Sequence, residues 1–247
     1  MNLQGKYKVI ENRALNSRSM LMRLAGDTSV FSAPGQFVNV AVPGLTLRRP
    51  ISVADYSDGE LTLIYDIVGR GTKIMSEARE GFSFDLLTGL GNGFDTDVDS
   101  SHPLLLGGGV GCAPLLGLAK RLMEAGKHPA VVLGFNSSDR VIMPEMFREL
   151  GFETLVATVD GSVGVRGFVT DAIPLLSSAP DYFYACGPMP MLRALSTGLD
   201  IPGEVSLEAR MGCGFGACVC CSLETTKGAK RICLEGPVFK KDELIWK

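Results

Sequence analysis

From Lys6 to about Asp97 the apolar residues fall in short runs, at residues 7–10, 36–42, 51–53 and 60–68, each broken by Gly, Pro or Asp. Short strands separated by turn signals predict a small antiparallel barrel. One helix is expected within it, over residues 72–78, where a Gly-Thr turn can cap it. From His102 to about Pro202 the pattern changes. An apolar strand at residues 103–106 runs into glycines at 107–111, a helix at 115–125 and a second apolar strand at 130–134. A strand at 153–159, a helix at 169–176 and a strand at 182–185 ending in Cys186-Gly187-Pro188 continue the alternation, which predicts a doubly wound α/β domain with a parallel sheet. Residues 204–247 hold most of the cysteines and little regular periodicity, a composition in which a metal can replace the missing core. The expected division is 1–98, 99–203 and 204–247.

Composition narrows the classes. With 46% hydrophobic and 21% charged residues over 247 positions, the chain buries enough apolar surface for two modest domains and an appendage. A net charge of -3 lacks the basic excess of a nucleic-acid binder. The first residues carry no apolar signal-peptide core, and no apolar run reaches membrane-spanning length, so a soluble cytoplasmic protein is expected. Five of the seven cysteines lie between Cys213 and Cys233, and clustered thiols in a reducing setting point to a metal.

Cys213, Cys218, Cys221 and Cys233 form C-x4-C-x2-C followed by a distant fourth Cys, the plant-type [2Fe–2S] arrangement. Gly212, Gly214, Gly216 and Ala217 leave room for backbone to wrap tightly and aim N–H groups at sulfur. Structural zinc is the alternative. Cys220 permits a second register with Cys218, Cys221 and Cys233; on the recognised spacing it is a spare thiol, and Cys112 is a small buried residue of the glycine turn.

Two further patterns suit nucleotides. Gly107, Gly108, Gly109 and Gly111, with Cys112, Ala113 and Pro114, lie between strand and helix, where bare backbone can approach a pyrophosphate. A mere tight turn is the bland alternative. Cys186, Gly187 and Pro188 end the last strand at the edge where α/β sheets bind ligands. In the first segment Arg49, Pro50, Ile51 and Ser52 place a cation beside a rigid turn, and Gly71 and Thr72 offer N–H groups before a helix. Such groups suit a flavin ring and its diphosphate respectively; a surface Arg and a helix cap are the alternative.

The order R-P-x-S, G-T, G-G-G-x-G-x-A-P, C-G-P and C-x4-C-x2-C-x11-C, over essentially the whole chain, resembles the electron-transfer subunits of class 1B, NAD-dependent dihydroorotate dehydrogenases, within the ferredoxin-reductase superfamily. The resemblance implies a β-barrel FAD domain, an α/β NAD domain and a C-terminal [2Fe–2S] segment. It implies that Arg49 to Ser52 hold the isoalloxazine, that Ile64, Tyr65 and Asp66 run beside the ribityl and phosphate chain, and that Gly71 and Thr72 bind the pyrophosphate. Residues 107–114 and 186–188 would receive NAD(H), and Cys213, Cys218, Cys221 and Cys233 would ligate the cluster. Cys220 stands where members of the family usually carry a small residue.

By the same resemblance, dihydroorotate is oxidised on a separate FMN-containing subunit, two of each kind forming a heterotetramer, and electrons pass from FMN through cluster and FAD to NAD in pyrimidine biosynthesis. The rivals are a ferredoxin or NAD(P)H oxidoreductase subunit with a different partner, and a non-catalytic scaffold stapled by zinc. The residues do not separate NAD from NADP, since Phe135 to Arg140 lack an acid at the strand end. The two histidines, His102 and His128, each stand beside a proline and suggest no second substrate site.

Overall fold

A computed structural model describes residues 4–246; residues 1–3 and 247, which fall in the first and last expected domains, lie outside the described residues. The first unit is a closed antiparallel barrel of β1 (Gln4–Ala14), β2 (Ser19–Ala25), β3 (Phe37–Ala41), β4 (Arg49–Ser57), β5 (Glu60–Asp66) and β6 (Ser83–Leu90), in the order β1-β2-β5-β4-β3-β6. Strict alternation explains the closure. Along β6, Phe84, Leu86, Thr88 and Leu90 are buried while their neighbours face outward. Inside, Val9, Met22, Leu24, Val38 and Leu63 form the barrel core. Helix α1 (Arg70–Ser76) follows β5. It starts earlier than the pattern suggested, because Thr72 sits within the first turn and its Oγ1 accepts from the N–H groups of Val68 (2.9 Å) and Gly69 (3.3 Å).

The second unit is a seven-stranded sheet built on β7 (Pro103–Gly108), β8 (Ala130–Phe135), β9 (Thr154–Thr158), β10 (Val165–Arg166), β11 (Tyr182–Cys186) and β12 (Gly203–Ser206), all parallel, in the order β10-β9-β8-β7-β11-β12. Helices α2 (Ala113–Glu124), α3 (Pro144–Glu149), α4 (Val169–Ala172) and α5 (Met189–Gly198) form the connections. Central β7 is buried at every position, as a strand covered on both faces must be. Its Leu105 packs with Leu115 and Leu118 of α2 on one face, and Leu104 and Leu106 with Leu192 and Leu195 of α5 on the other.

The first of these cores also takes in Leu21, Ala54 and Ile64 of the barrel, so the two units share apolar contacts. Lys120 of α2 pairs with Asp55, and the Arg121 guanidinium lies 5.1 Å from the centroid of the Tyr56 ring.

The last segment is more ordered than its weak periodicity predicted. A hairpin of β13 (Ser222–Thr225) and β14 (Gly228–Arg231) precedes β15 (Val238–Lys240), which pairs antiparallel with β12 and becomes the seventh strand. The cysteine region is therefore an excursion between two hydrogen-bonded strands. Cys221 and Cys233 enter the second core beside Phe37, Ile232 and Phe239.

Candidate functional site

A cavity of about 380 Å³ opens where the barrel meets the sheet, within the range of small-molecule sites. Arg49, Pro50, Ile51 and Ser52 of β4, Ile64, Tyr65 and Asp66 of β5, and Gly71 and Thr72 of α1 all line it. The structure thus brings together every residue that the sequence suggested for a flavin. A Cβ at Gly71 would stand 2.2 Å from Arg49 Nε, so the Arg49 side chain lies against the bare backbone at the start of α1, beside Gly71 and Thr72.

The donor set can be tested against a flavin. Tyr65 borders the cavity, but its hydroxyl is buried with the barrel core and has no hydrogen-bond partner among the described residues. Burial pushes its phenol up, so it stays a donor. In the cavity itself Arg49 and the backbone N–H groups at Gly71 and Thr72 suit a diphosphate, and Pro50, Ile51 and Ile64 offer apolar surface to a ring. The residues fit the group.

A second cavity, about 790 Å³, lies over the carboxyl ends of the parallel strands, the crevice in which open α/β sheets bind ligands. Gly108, Gly109, Gly111, Gly187 and Pro188 line it. Two of the expected residues, Gly107 and Cys186, instead lie beneath it, paired across β7 and β11, and burial pushes the Cys186 thiol up to about 12. Pro114 faces the first cavity. A Cβ at Gly111 would meet the Cys186 carbonyl oxygen at 2.6 Å, so the turn requires glycine there for close approach. Arg140, already paired with Asp139 at 3.3 Å, lines the outer part.

The two cavities share Val110, Gly111, Asp66 and Glu208. Arg18 Nε meets Asp66 Oδ2 at 3.0 Å and Ser19 Oγ donates to Oδ1 at 2.6 Å. Glu208 remains reachable from the cleft, yet enclosure by its walls, with repulsion from Asp66, raises its carboxyl above the ordinary range. Sequence reading missed Glu208, Leu207 and Met211, which close the first cavity from the far side. Their position just after β12, at the same sheet edge as Cys186, was the available signal.

The cysteines stand in two pairs. Cys213 and Cys218 exchange backbone-to-sulfur hydrogen bonds, each 3.4 Å. Cys233 N–H donates to Cys221 Sγ at 3.4 Å, and Gly216 N–H to Cys233 Sγ at 3.1 Å. Burial opposes ionisation of Cys213, but the N–H groups of Phe215, Cys218 and Ala217 outweigh it and hold the thiol near about 6. Among the described residues no three or more His, Cys, Asp or Glu side chains gather around one ion. A two-iron centre asks for pairs, since each iron takes two thiolates, and this donor set fits it. Cys220 is exposed, its thiol turned to the Arg210 carbonyl at 3.7 Å.

The family model for the iron–sulfur cluster binding domain of dihydroorotate dehydrogenase B matches residues 208–245, and that for the oxidoreductase NAD-binding domain matches residues 105–197. The chain is 44% identical over 248 residues to the dihydroorotate dehydrogenase B (NAD(+)) electron transfer subunit of Bacillus pumilus (strain SAFR-032), covering 96% of each. It belongs to that family. The Fusobacterium nucleatum subsp. nucleatum subunit of the same name is 41% identical over 245 residues, 94% of each chain. Among solved structures, a chain of the NADH-dependent reduced ferredoxin-NADP oxidoreductase superposes with a TM-score of 0.88 at 31% identity, over 100% of this chain and 92% of that one. The FAD/NAD binding domain of a Vibrio cholerae nitric oxide dioxygenase, 21% identical with a TM-score of 0.68 over 81% of this chain and 97% of that one, shares the fold. The dihydroorotate dehydrogenase B electron transfer subunit family thus takes in a chain of ferredoxin-reductase-like fold, an oxidoreductase subunit with NAD-binding and iron–sulfur-binding domains.

Proposed function

We propose that this chain is the electron-transfer subunit of an NAD-dependent dihydroorotate dehydrogenase, carrying electrons from an FMN-containing catalytic subunit to NAD+ through a [2Fe–2S] cluster and FAD in pyrimidine biosynthesis. One observation carries the reading. Met211 lines the flavin cavity two residues before Cys213, and the same cavity joins the nucleotide cavity at Gly111. Sites for a two-electron donor or acceptor, a flavin and a one-electron carrier are contiguous.

When bound, FAD supplies the exchange between hydride and single-electron chemistry. The chain's residues hold and enclose it. Arg49, Gly71 and Thr72 take the diphosphate; Pro50, Ile51, Ser52, Ile64, Tyr65 and Asp66 line the ring and ribityl chain. Gly108, Gly109, Gly111, Gly187 and Pro188 receive NAD(H), supported from beneath by Gly107 and Cys186, with Pro114 on the flavin side. Cys213, Cys218, Cys221 and Cys233 hold the cluster. Glu208 stands where the two cavities meet, its carboxyl raised by enclosure and by repulsion from Asp66.

The domains are taken as 1–98, 99–203 and 204–247, the last of them contributing most of β12 and all of β15 to the sheet of the second. Phe215, Val219 and Leu234 expose 50%, 60% and 45% of their surface around the cysteine loops, which supports docking of the catalytic subunit there, in a heterotetramer of two plus two. All seven cysteines are free, and no helix among the described residues is long and apolar enough to cross a membrane; both support a cytoplasmic setting.

The test is reconstitution. The purified chain carries iron, sulfide and FAD, and added to the FMN subunit it confers dihydroorotate-dependent reduction of NAD+. A chain that binds FAD and iron but leaves the FMN subunit unable to use NAD+ would favour the second reading, a subunit with another partner, which the full-length likeness to the ferredoxin-NADP oxidoreductase chain supports.

A further inference from the structure

We infer that Asn39 is a positioning residue for the iron–sulfur centre, tying the loop of the first cluster ligand to the wall of the flavin cavity; the inference rests on the cluster assignment above. Asn39 lies mid-way along β3, 1% exposed. Its Nδ2 donates to the carbonyl oxygen of Cys213 at 3.1 Å, across the join between barrel and cysteine segment. The contact is close. A Cβ at Gly214, where φ is +77°, would stand 2.3 Å from that same Nδ2, so the loop backbone rests directly on the amide.

The amide is also rigidly placed on the flavin side. Asn39 faces Pro50 in the β3–β4 register, and Pro50 lines the flavin cavity, as does Phe37, two residues earlier on the same face of β3. Arg48 Nη1 donates to the Asn39 carbonyl at 3.2 Å and to the Asp85 carbonyl at 3.0 Å, while Nη2 meets Asp85 Oδ1 at 2.5 Å. One residue therefore links backbone bordering the flavin to backbone of a ligand, without passing through solvent.

The other half of the amide argues that its role lies outside folding. Asn39 Oδ1 is buried with no partner among the described residues, and an unsatisfied acceptor lowers stability. An apolar side chain of the same shape would serve the barrel better. What the amide adds is a directed N–H to the Cys213 carbonyl, which draws electron density from the peptide unit beside the sulfur and fixes the loop's distance from the flavin wall.

The experiment compares the full chain with Asn39→Leu and Asn39→Asp, all loaded with FAD and cluster. Asn39→Leu removes the donor and keeps the volume; iron release to a chelator rises roughly tenfold, the factor one buried amide bond carries, and the EPR spectrum of the dithionite-reduced cluster shifts. Asn39→Asp keeps the shape; while the buried carboxyl holds its proton it donates to the Cys213 carbonyl as the amide does, and once ionised it sets an anion there, so the cluster's midpoint potential acquires a pH dependence that the unmodified chain lacks. Bleaching of FAD by NADH stays within about twofold of the unmodified chain in both, since the nucleotide cavity is untouched. Where either variant loads poorly, Asn39→Ala, which removes the amide without straining the ligand loop, reproduces the EPR shift. Variants with the unmodified potential, spectrum and iron-release rate would overturn the role of Asn39 alone. An unmodified chain without iron and sulfide would overturn the cluster assignment, and this inference with it.

Discussion

Gly71 can be filled by one methyl group. The new Cβ would stand 2.2 Å from Arg49 Nε, 2.8 Å from Cζ and 3.0 Å from Cδ. These atoms end a flexible, partly exposed side chain, so Arg49 swings away and the protein frame does not shift. Alanine gains about 0.8–1 kcal/mol of helix propensity over glycine, and the melting temperature of Gly71→Ala stays level or rises. The displaced guanidinium no longer reaches the diphosphate. A hydrogen bond to a charged group is worth roughly 1.5–3 kcal/mol, so FAD binds about 10- to 100-fold more weakly at 1.4 kcal/mol per decade. Flavin fluorescence on serial dilution of the purified chain reads the loss. Arg49→Ala reproduces it, and the double variant adds little, because both changes remove one interaction. FAD retention unchanged in Gly71→Ala, or fully additive losses in the double variant, would refute the placement of Arg49 at the diphosphate.

Four other outcomes are expected. Tyr65→Phe removes a buried, unpaired hydroxyl from the barrel core, so the FAD-free chain melts level or higher and FAD binding is little changed; a lower melting temperature would mean that the hydroxyl has a partner. Cys220→Ser keeps the EPR signal of the reduced cluster and Cys221→Ser abolishes it; the reverse result would shift the ligand register. Arg231 pairs with Glu235 and donates to the Gly216 carbonyl at 2.8 Å beside Cys233, so Arg231→Gln lowers and Glu235→Gln raises the cluster potential in a redox titration; shifts of the same sign would exclude a charge effect. The Glu208 carboxyl is raised by folding, so its contribution is full below the ordinary carboxylate range and is lost as pH rises through the folded value; Glu208→Gln therefore melts higher near neutrality, and the gap closes as melts approach about pH 4.

Much of this was legible from residue types. The cysteine spacing proposed four sulfurs, and the remaining thiol of that stretch, Cys220, is turned to the Arg210 carbonyl. The barrel strands announced themselves by alternation, and buried β7 by its unbroken apolar run. Three features were not legible, each for a physical reason. Where Arg49 points depends on Gly71, which is distant in sequence. Glu208 and Met211 carry no motif; they matter because β12 ends at the cleft, a fact of topology. The order of the last segment escaped detection because β15 has three residues, too few for periodicity, and is held by pairing with β12.

That pairing bears on how the protein is made. The outer edge of β12 is complete once Ser206 is synthesised, but its partner arrives only with Val238–Lys240. Translation of the stretch between takes on the order of seconds. Throughout that interval the nascent chain presents an open strand edge, a template for pairing with another chain, together with bare thiols at Cys213, Cys218, Cys221 and Cys233. The open edge ends when the final strand docks, whereas Cys218 stays exposed in the folded chain and depends on its ligand for cover. A message truncated before the codon of Val238 would leave that edge open for the life of the polypeptide, and its product would be taken by proteases and aggregates before its chemistry mattered.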